Sequence, residues 1–136
     1  MPAPAPKSVT RSDLERFLHT YLDVAAIPDD SQNGLQVEGR ARVARLALGV
    51  SASQGLFRRA IDAGADAVLV HHGLLWGKPE RLVGPLLERV KLLLANDISL
   101  FAYHLPLDKH GEVGNNVQLL QGLGVKKCVA WGHYHD

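Results

Sequence analysis

Residues 66–76 read DAVLVHHGLLW, an apolar run that ends in two adjacent histidines. The run at 66–70 is short and continuous, which is typical of a parallel strand that is covered on both faces. His71 and His72 therefore stand where a buried strand is predicted to end. A buried parallel strand requires neighbouring parallel strands and helices that connect them, so this stretch indicates the fold class.

Strand and helix signals alternate on both sides of this run. Further strands are predicted at 43–50, 98–103 and 125–130. Helices are predicted at 12–24, from the SASQ cap at 51–54 to residue 63, from Pro85 to Asn96, and at 115–121. The alternation predicts an α/β fold with a largely parallel sheet and helices on both faces.

The length of 136 residues suits a single domain. The first ten residues, MPAPAPKSVT, alternate proline with alanine at their start, and residues 1–10 are expected to be a disordered lead. Residues 11–136 then form one α/β domain. Ser12 followed by Glu15 has the spacing of a capping box and is expected to start the first helix.

The composition argues against several classes of partner. The 15 basic and 14 acidic side chains nearly balance, so nucleic acid is not favoured. No stretch reaches the roughly 18 apolar residues that a membrane helix needs, so no membrane association is expected. Cys128 is the only cysteine of the chain and has no internal disulfide partner. These features predict a soluble, cytoplasmic protein.

Two polar clusters follow predicted strands. His71 and His72 come after the strand at 66–70, and His104 and Asp108 come after the strand at 98–103. Ligands of open parallel sheets collect beyond the carboxyl ends of the strands, so these four side chains converge if the two strands are neighbours. Imidazole and carboxylate are ligands of zinc, iron and manganese. The sequence therefore predicts a divalent-metal site.

The adjacent histidines carry a geometric expectation. Successive strand residues point to opposite sides, so His71 and His72 are not expected to chelate one ion together. Each is expected to serve a different ion, with Asp108 bridging the two. A pair of metals a few ångströms apart activates water and stabilises an oxyanion in hydrolysis.

Each of these residues also has a structural interpretation. In that interpretation, one histidine of the pair packs against the sheet and the other is exposed to solvent. Asp108 caps a turn, and His104 is the structural partner of Asp108. Trp76 is either a core aromatic or a wall of the pocket. Asn115 is either a helix cap, the safer interpretation, or a donor that orients a ligand from behind.

Five motifs follow one another along the chain: NGLQVEG at 33–39, LGVSAS at 48–53, HHGLLW at 71–76, LLANDISLFAYHLPLDKHGEVGNN at 93–116 and LGV at 123–125. In this order they resemble the Nif-three-like proteins, also called dinuclear metal centre proteins and often named GTP cyclohydrolase I type 2 homologues. The resemblance implies a Nif-three-like α/β fold, two divalent metal ions, and a homo-oligomer in the form of a toroidal hexamer.

The resemblance also assigns residues to the site. It implies that His71, His72 and Asp108 are metal ligands, and that His104 and Trp76 lie beside them. The family's second half brings a further histidine and a glutamate, and this chain corresponds to the first half. His133 and His135, close to its end, are expected to belong to a tail rather than to the site. Water, a neighbouring subunit or a separate chain is expected to fill the remaining coordination positions.

Three functions are consistent with these features. The first is a metal-dependent hydrolase that acts on a nucleotide or a related small molecule, in line with the family's GTP cyclohydrolase I type 2 name. The second is a non-catalytic metal-binding protein with a regulatory or scaffolding role. The third is a truncated member with an incomplete site.

Overall fold

Six strands and five helices form the structure, a computed structural model that describes residues 7–129 and 131–132. The strands are β1 (Val9–Thr10), β2 (Gly34–Val37), β3 (Arg42–Val43), β4 (Leu46–Ser51), β5 (Ala67–His72) and β6 (Ser99–Ala102). The helices are α1 (Arg11–Tyr21), α2 (Gln54–Asp62), α3 (Gly84–Ala95), α4 (Leu105–Lys109) and α5 (Asn115–Gly122), with a 3₁₀ turn at Val24–Ala26. No helix in this part of the chain is long and apolar enough to cross a membrane.

The main sheet has the strand order β2-β6-β5-β4. β5 pairs in parallel with β4 on one side and with β6 on the other, and β2 joins the far edge of β6 in the antiparallel direction. β1 and β3 form a separate antiparallel ribbon. The sheet is therefore largely parallel, and the carboxyl ends of β4, β5 and β6 lie together at one edge.

Helices cover both faces of the main sheet, as the sequence predicts. On one face, α2 and α3 bury Phe57 and Leu93 against the β5 and β6 side chains Val68, Val70 and Leu100. On the opposite face, α1 and the turn after it bury a second cluster of side chains: Leu18, Leu22, Val43, Ala67, Phe101 and Tyr103. The alternation of side chains along β5 and β6 divides the core into these two layers.

The elements with the strongest local signals form as predicted. β4, β5 and β6 lie within one to three residues of their expected limits, and α3 carries proline in its first turn. The side chain of Ser53 caps α2 by accepting a hydrogen bond from the backbone N–H of Leu56. A buried apolar run or a capping side chain marks each of these elements in the sequence.

Other expectations are wrong. Residues 125–129 form no strand, because none of the strands of the main sheet pairs with them and strand conformation depends on such pairing. The cap of α1 is Thr10, whose hydroxyl accepts from the backbone N–H of Asp13. The disordered lead does not extend to residue 10, because β1 pairs with β3; residues 1–6 lie outside the described part of the chain.

Gly39 lies where the chain leaves β2 and crosses the backbone of residues 97–99. A Cβ atom at this position would overlap the carbonyl carbon of Ile98 and would lie 2.6 Å from the backbone N of Ser99. We expect Gly39→Ala to lower the free energy of unfolding by about 1–3 kcal/mol, measured by urea denaturation. Gly122→Ala is the control, because its Cβ would meet no atom within 4 Å; an equal loss there would contradict the close-approach argument.

Candidate metal centre

The ends of β5 and β6 bring three histidines together. His71 and His72 are the last two residues of β5, and His104 follows β6 after Tyr103. The parallel register places Val70 opposite Ala102, and the backbone N–H of Tyr103 donates to the carbonyl of Val70. The neighbouring strands therefore end at the same level, which is the condition that the sequence argument required.

The three imidazole rings lie against one another. The ring centroids of His71 and His72 are 4.4 Å apart, and the ring of His104 lies 4.8 Å from His71 and 5.7 Å from His72. One ligand atom from each of the three side chains can be chosen so that all lie within 4.8 Å of one another. We call His71, His72 and His104 the histidine cluster.

The expectation that the adjacent histidines point apart is wrong for their rings. Alternation along a strand fixes the direction of Cβ, but rotation about two further bonds places the ring. Nδ1 of His71 lies 3.3 Å from the carbonyl oxygen of Tyr103 beyond β6, whereas Nδ1 of His72 lies 3.1 Å from Oγ of Ser51 on β4. The two side chains lean toward different strands while their rings remain in contact.

Each ring of the histidine cluster has a polar partner at Nδ1. The partners are the carbonyl of Tyr103 for His71, the hydroxyl of Ser51 for His72 and the carboxylate of Asp29 for His104. A carbonyl or a carboxylate only accepts, so Nδ1 donates in the first and third contacts, and a hydroxyl can accept in the second. This arrangement leaves Nε2 of His71 and His104 as the nitrogen that can bind a metal, and it does the same for His72 when the Nδ1 of that ring donates to Ser51.

Asp108 borders the histidine cluster from α4. Its Oδ2 lies 3.5 Å from Nε2 of His71, and its Oδ1 accepts a hydrogen bond of 2.8 Å from Nδ2 of Asn115. Gly114, not Asn115, is the N-cap of α5. Of the two interpretations of Asn115, the cap is therefore wrong, and its contact is the one expected of a donor that orients the Asp108 carboxylate.

Trp76 lies edge-on against His104, with ring centroids 5.0 Å apart. Its backbone is held by a bridge to Ser31, and its carbonyl accepts from the side-chain amide of Gln32. Trp76 is half-buried, and it borders the histidine cluster as expected of a pocket wall. The HHGLLW segment thus contributes two imidazoles of the histidine cluster and the indole that packs against the third imidazole, that of His104.

Asp29 is the residue of the site that the sequence argument missed. Its side chain is only 2% exposed, and its Oδ1 lies 3.0 Å from Nδ1 of His104. Burial would raise the pKa of this carboxyl, but hydrogen bonds from Asn33, His104 and the backbone lower it below its ordinary value. The buried group is therefore a carboxylate. No short motif marked it, because its partner is 75 residues away in the sequence.

The electrostatic environment favours neutral imidazole at His72. Burial lowers the pKa of His72, neighbouring His71 and His104 lower it further, and only the Asp108 carboxylate opposes them. A metal binds the neutral ring, so a lowered pKa reduces competition from protons. A cluster of imidazoles with one carboxylate beside it has the donor set of zinc, iron and manganese sites, and the residues fit such an ion.

Two other histidines of the described chain lie apart from the cluster. Nδ1 of His110 accepts hydrogen bonds from the backbone N–H groups of Glu112 and Val113, and its ring packs on Tyr21. His19 belongs to α1, as expected. His133 and His135 lie outside the described residues, so their expected place in a tail stays a prediction.

A cleft of about 870 Å³ adjoins the centre on the side of Asp108. Its walls come from the loop at 26–28, from α4 and α5, and from residues 128–129 and 131–132, and they include Asn116 and Leu120 but none of the histidine cluster. The volume is in the range of small-molecule sites. A molecule in this cleft would approach the centre through Asp108.

Comparison with known proteins gives a consistent result. The sequence profile of the Duf34/NIF3 (NGG1p interacting factor 3) family matches residues 9–134. A Pseudomonas aeruginosa protein named GTP cyclohydrolase 1 type 2 homolog is 55% identical over 118 residues, covering 86% of this chain and 47% of its own length. The Escherichia coli K12 protein of the same name is 47% identical over 128 residues, covering 89% and 52%.

Solved structures agree with the sequence comparison. A Thermus thermophilus protein superposes with a TM-score of 0.87 at 44% identity, over 90% of this chain and 51% of its own. Reduced HcgD from Methanocaldococcus jannaschii superposes with a TM-score of 0.75 at 25% identity, over 86% and 48%. This chain spans about half the length of the relatives that it matches. The family profile covers nearly the whole of its sequence, and the chain belongs to the Duf34/NIF3 family.

Proposed function

We propose that this chain binds divalent metal through His71, His72 and His104, with Asp108 as the neighbouring carboxylate ligand, and that the site is that of a metal-dependent hydrolase. The observation that carries the proposal is the convergence of three imidazoles within 4.8 Å, each with its Nδ1 engaged by another group. Histidines that bind a metal through one ring nitrogen almost always donate the other ring N–H to a carboxylate, a backbone carbonyl or water.

The side chains have separate roles in this proposal. The histidine cluster offers three imidazole nitrogens, and Asp108 supplies the carboxylate beside His71. Asn115 holds the Asp108 carboxylate in place, and Trp76 restricts water at the open side of His104. A bound divalent metal supplies Lewis acidity and a source of nucleophilic water at neutral pH.

The proposed substrate is a nucleotide or a related small molecule. The cleft beside Asp108 has a suitable volume, and the names of the P. aeruginosa and E. coli relatives refer to a GTP-directed enzyme. Asp108 and Asn116 face the cleft with one carboxylate and one amide. A substrate bound there would place its reacting group next to the proposed metal.

From the family resemblance we further propose that the site holds two divalent ions of zinc, iron or manganese. We also propose, from the same resemblance, that the protein assembles as a toroidal hexamer. A second ion needs ligands beyond the three imidazoles and Asp108, and these are proposed to come from outside the described residues. Support for assembly comes from β4, whose outer edge is unpaired in the described structure and whose Leu48 and Val50 side chains are 69% and 67% exposed.

A metal titration tests the proposal. We expect the chelator-treated chain to bind zinc or manganese, and the loaded protein to hydrolyse at least one member of a nucleotide panel. Asp108→Asn should lower turnover by at least about 10- to 100-fold, since it removes a charged ligand. Asp62→Asn, at the exposed end of α2, is the matched control.

Each outcome of this titration has a separate meaning. Folded protein that binds no metal would contradict the whole proposal. Metal binding without turnover would support the non-catalytic metal-binding function instead. Equal losses in Asp108→Asn and Asp62→Asn would remove Asp108 from the site.

A further inference from the structure

The segment from Asp29 to Gln36 includes the start of the NGLQVEG motif, to which the proposed metal chemistry gives no role. We propose that Asp29, Asn33 and Gln36 are positioning residues, which hold the two histidine-bearing segments in place and aim Nε2 of His104 at the metal. We call these three residues the bracket. The inference rests on the proposed metal site and goes beyond it, because none of the three is proposed as a ligand.

Asp29 orients the ring of His104. Oδ1 of Asp29 accepts from Nδ1 of His104 at 3.0 Å and from the backbone N–H of Ser31 at 2.9 Å. Oδ2 accepts from Nδ2 of Asn33 at 3.0 Å and from the backbone N–H of Leu105 at 2.9 Å. Each oxygen of this buried carboxylate therefore has two donors. Because a carboxylate cannot donate, the proton of neutral His104 stays on Nδ1 and the lone pair on Nε2.

Asn33 fixes the backbone that carries His104. Its Oδ1 accepts a hydrogen bond of 2.8 Å from the backbone N–H of His104, and its Nδ2 donates to Asp29. His104 is thus held at both its backbone and its ring by two residues of one loop. The same loop holds Leu105, the first residue of α4, so it also fixes the start of the helix that carries Asp108.

Gln36 performs the corresponding task for the segment after His72. Its Oε1 accepts from the backbone N–H groups of Leu74 at 2.6 Å and Leu75 at 3.1 Å, and its Nε2 donates to the carbonyl of Leu75 at 3.0 Å. A Cβ at Gly73 would overlap Oε1 of Gln36 and lie 2.6 Å from Cβ of Ala102. Glycine directly after the histidine pair is what lets the Gln36 amide reach this backbone.

If the bracket only stabilised the fold, replacing one of its residues would affect zinc affinity no more than replacing any other buried polar residue. Asp66 provides the comparison, because it is also a mostly buried carboxylate that accepts from two backbone N–H groups, those of Ala44 and Arg45, and from the side chain of Arg40. Asp66 precedes β5, at the end of the strand opposite to His71 and His72. It contributes to the fold without contacting the histidine cluster.

Asp29→Asn and Asp66→Asn form the test pair. In either orientation the amide introduced by Asp29→Asn directs its NH₂ group at a backbone N–H, that of Ser31 or that of Leu105, so the His104 contact is weakened or the ring takes the other tautomer. We expect Asp29→Asn to weaken zinc binding by about 10- to 100-fold, measured with a competing chelator. Asp66→Asn should lose stability but keep zinc affinity within about twofold of the unsubstituted chain.

A second readout needs no metal. In protein labelled with ¹⁵N-histidine at pH 8, nitrogen chemical shifts distinguish the two tautomers, and a His104→Gln sample assigns the signals. We expect the unsubstituted, metal-free chain to carry the His104 proton on Nδ1, and Asp29→Asn to shift that population toward Nε2. This measurement on the unsubstituted chain decides the matter even if Asp29→Asn does not fold.

The outcomes separate this inference from the proposed function. A His104 proton on Nε2 in the unsubstituted chain would overturn the positioning role, as would equal effects of Asp29→Asn and Asp66→Asn on zinc affinity. If the unsubstituted chain binds no zinc but His104 shows the expected tautomer and responds to Asp29→Asn, the proposed metal site fails while the orienting contact stands.

Discussion

Replacing His71 with alanine is expected to weaken zinc binding by on the order of 100-fold or more. The apparent binding free energy of protein zinc sites is about 10–16 kcal/mol, so one of four ligands carries about 3 kcal/mol or more. His71 is the residue of the cluster that contacts both other imidazoles and Asp108. Its loss removes one ligand and leaves the Asp108 carboxylate without its imidazole neighbour. Isothermal titration calorimetry of the chelator-treated chain measures the change.

His110→Ala makes the same chemical change outside the cluster. His110 follows α4 and has its own backbone contacts, so its removal should leave zinc affinity within about twofold. Zinc should also raise the melting temperature of the unsubstituted chain and of His110→Ala, but not that of His71→Ala. A similar loss of affinity in both variants would indicate binding by surface histidines and would contradict a site at the end of β5.

The part of the fold that the sequence predicts is the part with strong local signals. A few consecutive residues are enough to predict the buried strands β5 and β6 and the Ser53 cap of α2. β2 was missed because GLQV at 34–37 is short and lies between polar residues, and its strand conformation comes from pairing with β6. The converse error occurred at 125–129, where apolar residues with strand propensity have no partner strand.

The candidate site also has a part that the sequence predicts and a part that it does not. Neighbouring parallel strands were enough to predict that His71, His72, His104 and Asp108 converge, because strand ends meet at one edge of a sheet. The place of His104 within the cluster depends on ring orientation, which no periodicity encodes. The contact between His104 and Asp29 depends on the conformation of the loop before β2, which brings Asp29 to the start of α4. The position of Asp29, four residues before Asn33 of the NGLQVEG motif, is the one sequence signal that could have identified it.

Replacing Phe101 with alanine is expected to cost about 3–5 kcal/mol of unfolding free energy, the range observed for truncating a buried phenylalanine. Phe101 is completely buried on the central strand β6, opposite Leu35 of β2 and Leu69 of β5, and it belongs to the core layer under α1. The loss is a large part of the roughly 5–15 kcal/mol that stabilises a domain. Urea denaturation followed by circular dichroism measures it, with an unchanged m-value as the check on two-state unfolding.

Phe17→Ala is the matched control, because it removes the same atoms from α1. Phe17 is 59% exposed and stacks on Tyr21 with ring centroids 5.5 Å apart, so its truncation should cost about 1 kcal/mol or less. The comparison tests which face of α1 meets the sheet, since Leu18 is buried and Phe17 is not. Equal losses in the two variants would contradict the layer of core between α1 and β6. That layer matters to the site because it includes Tyr103, whose carbonyl holds the ring of His71.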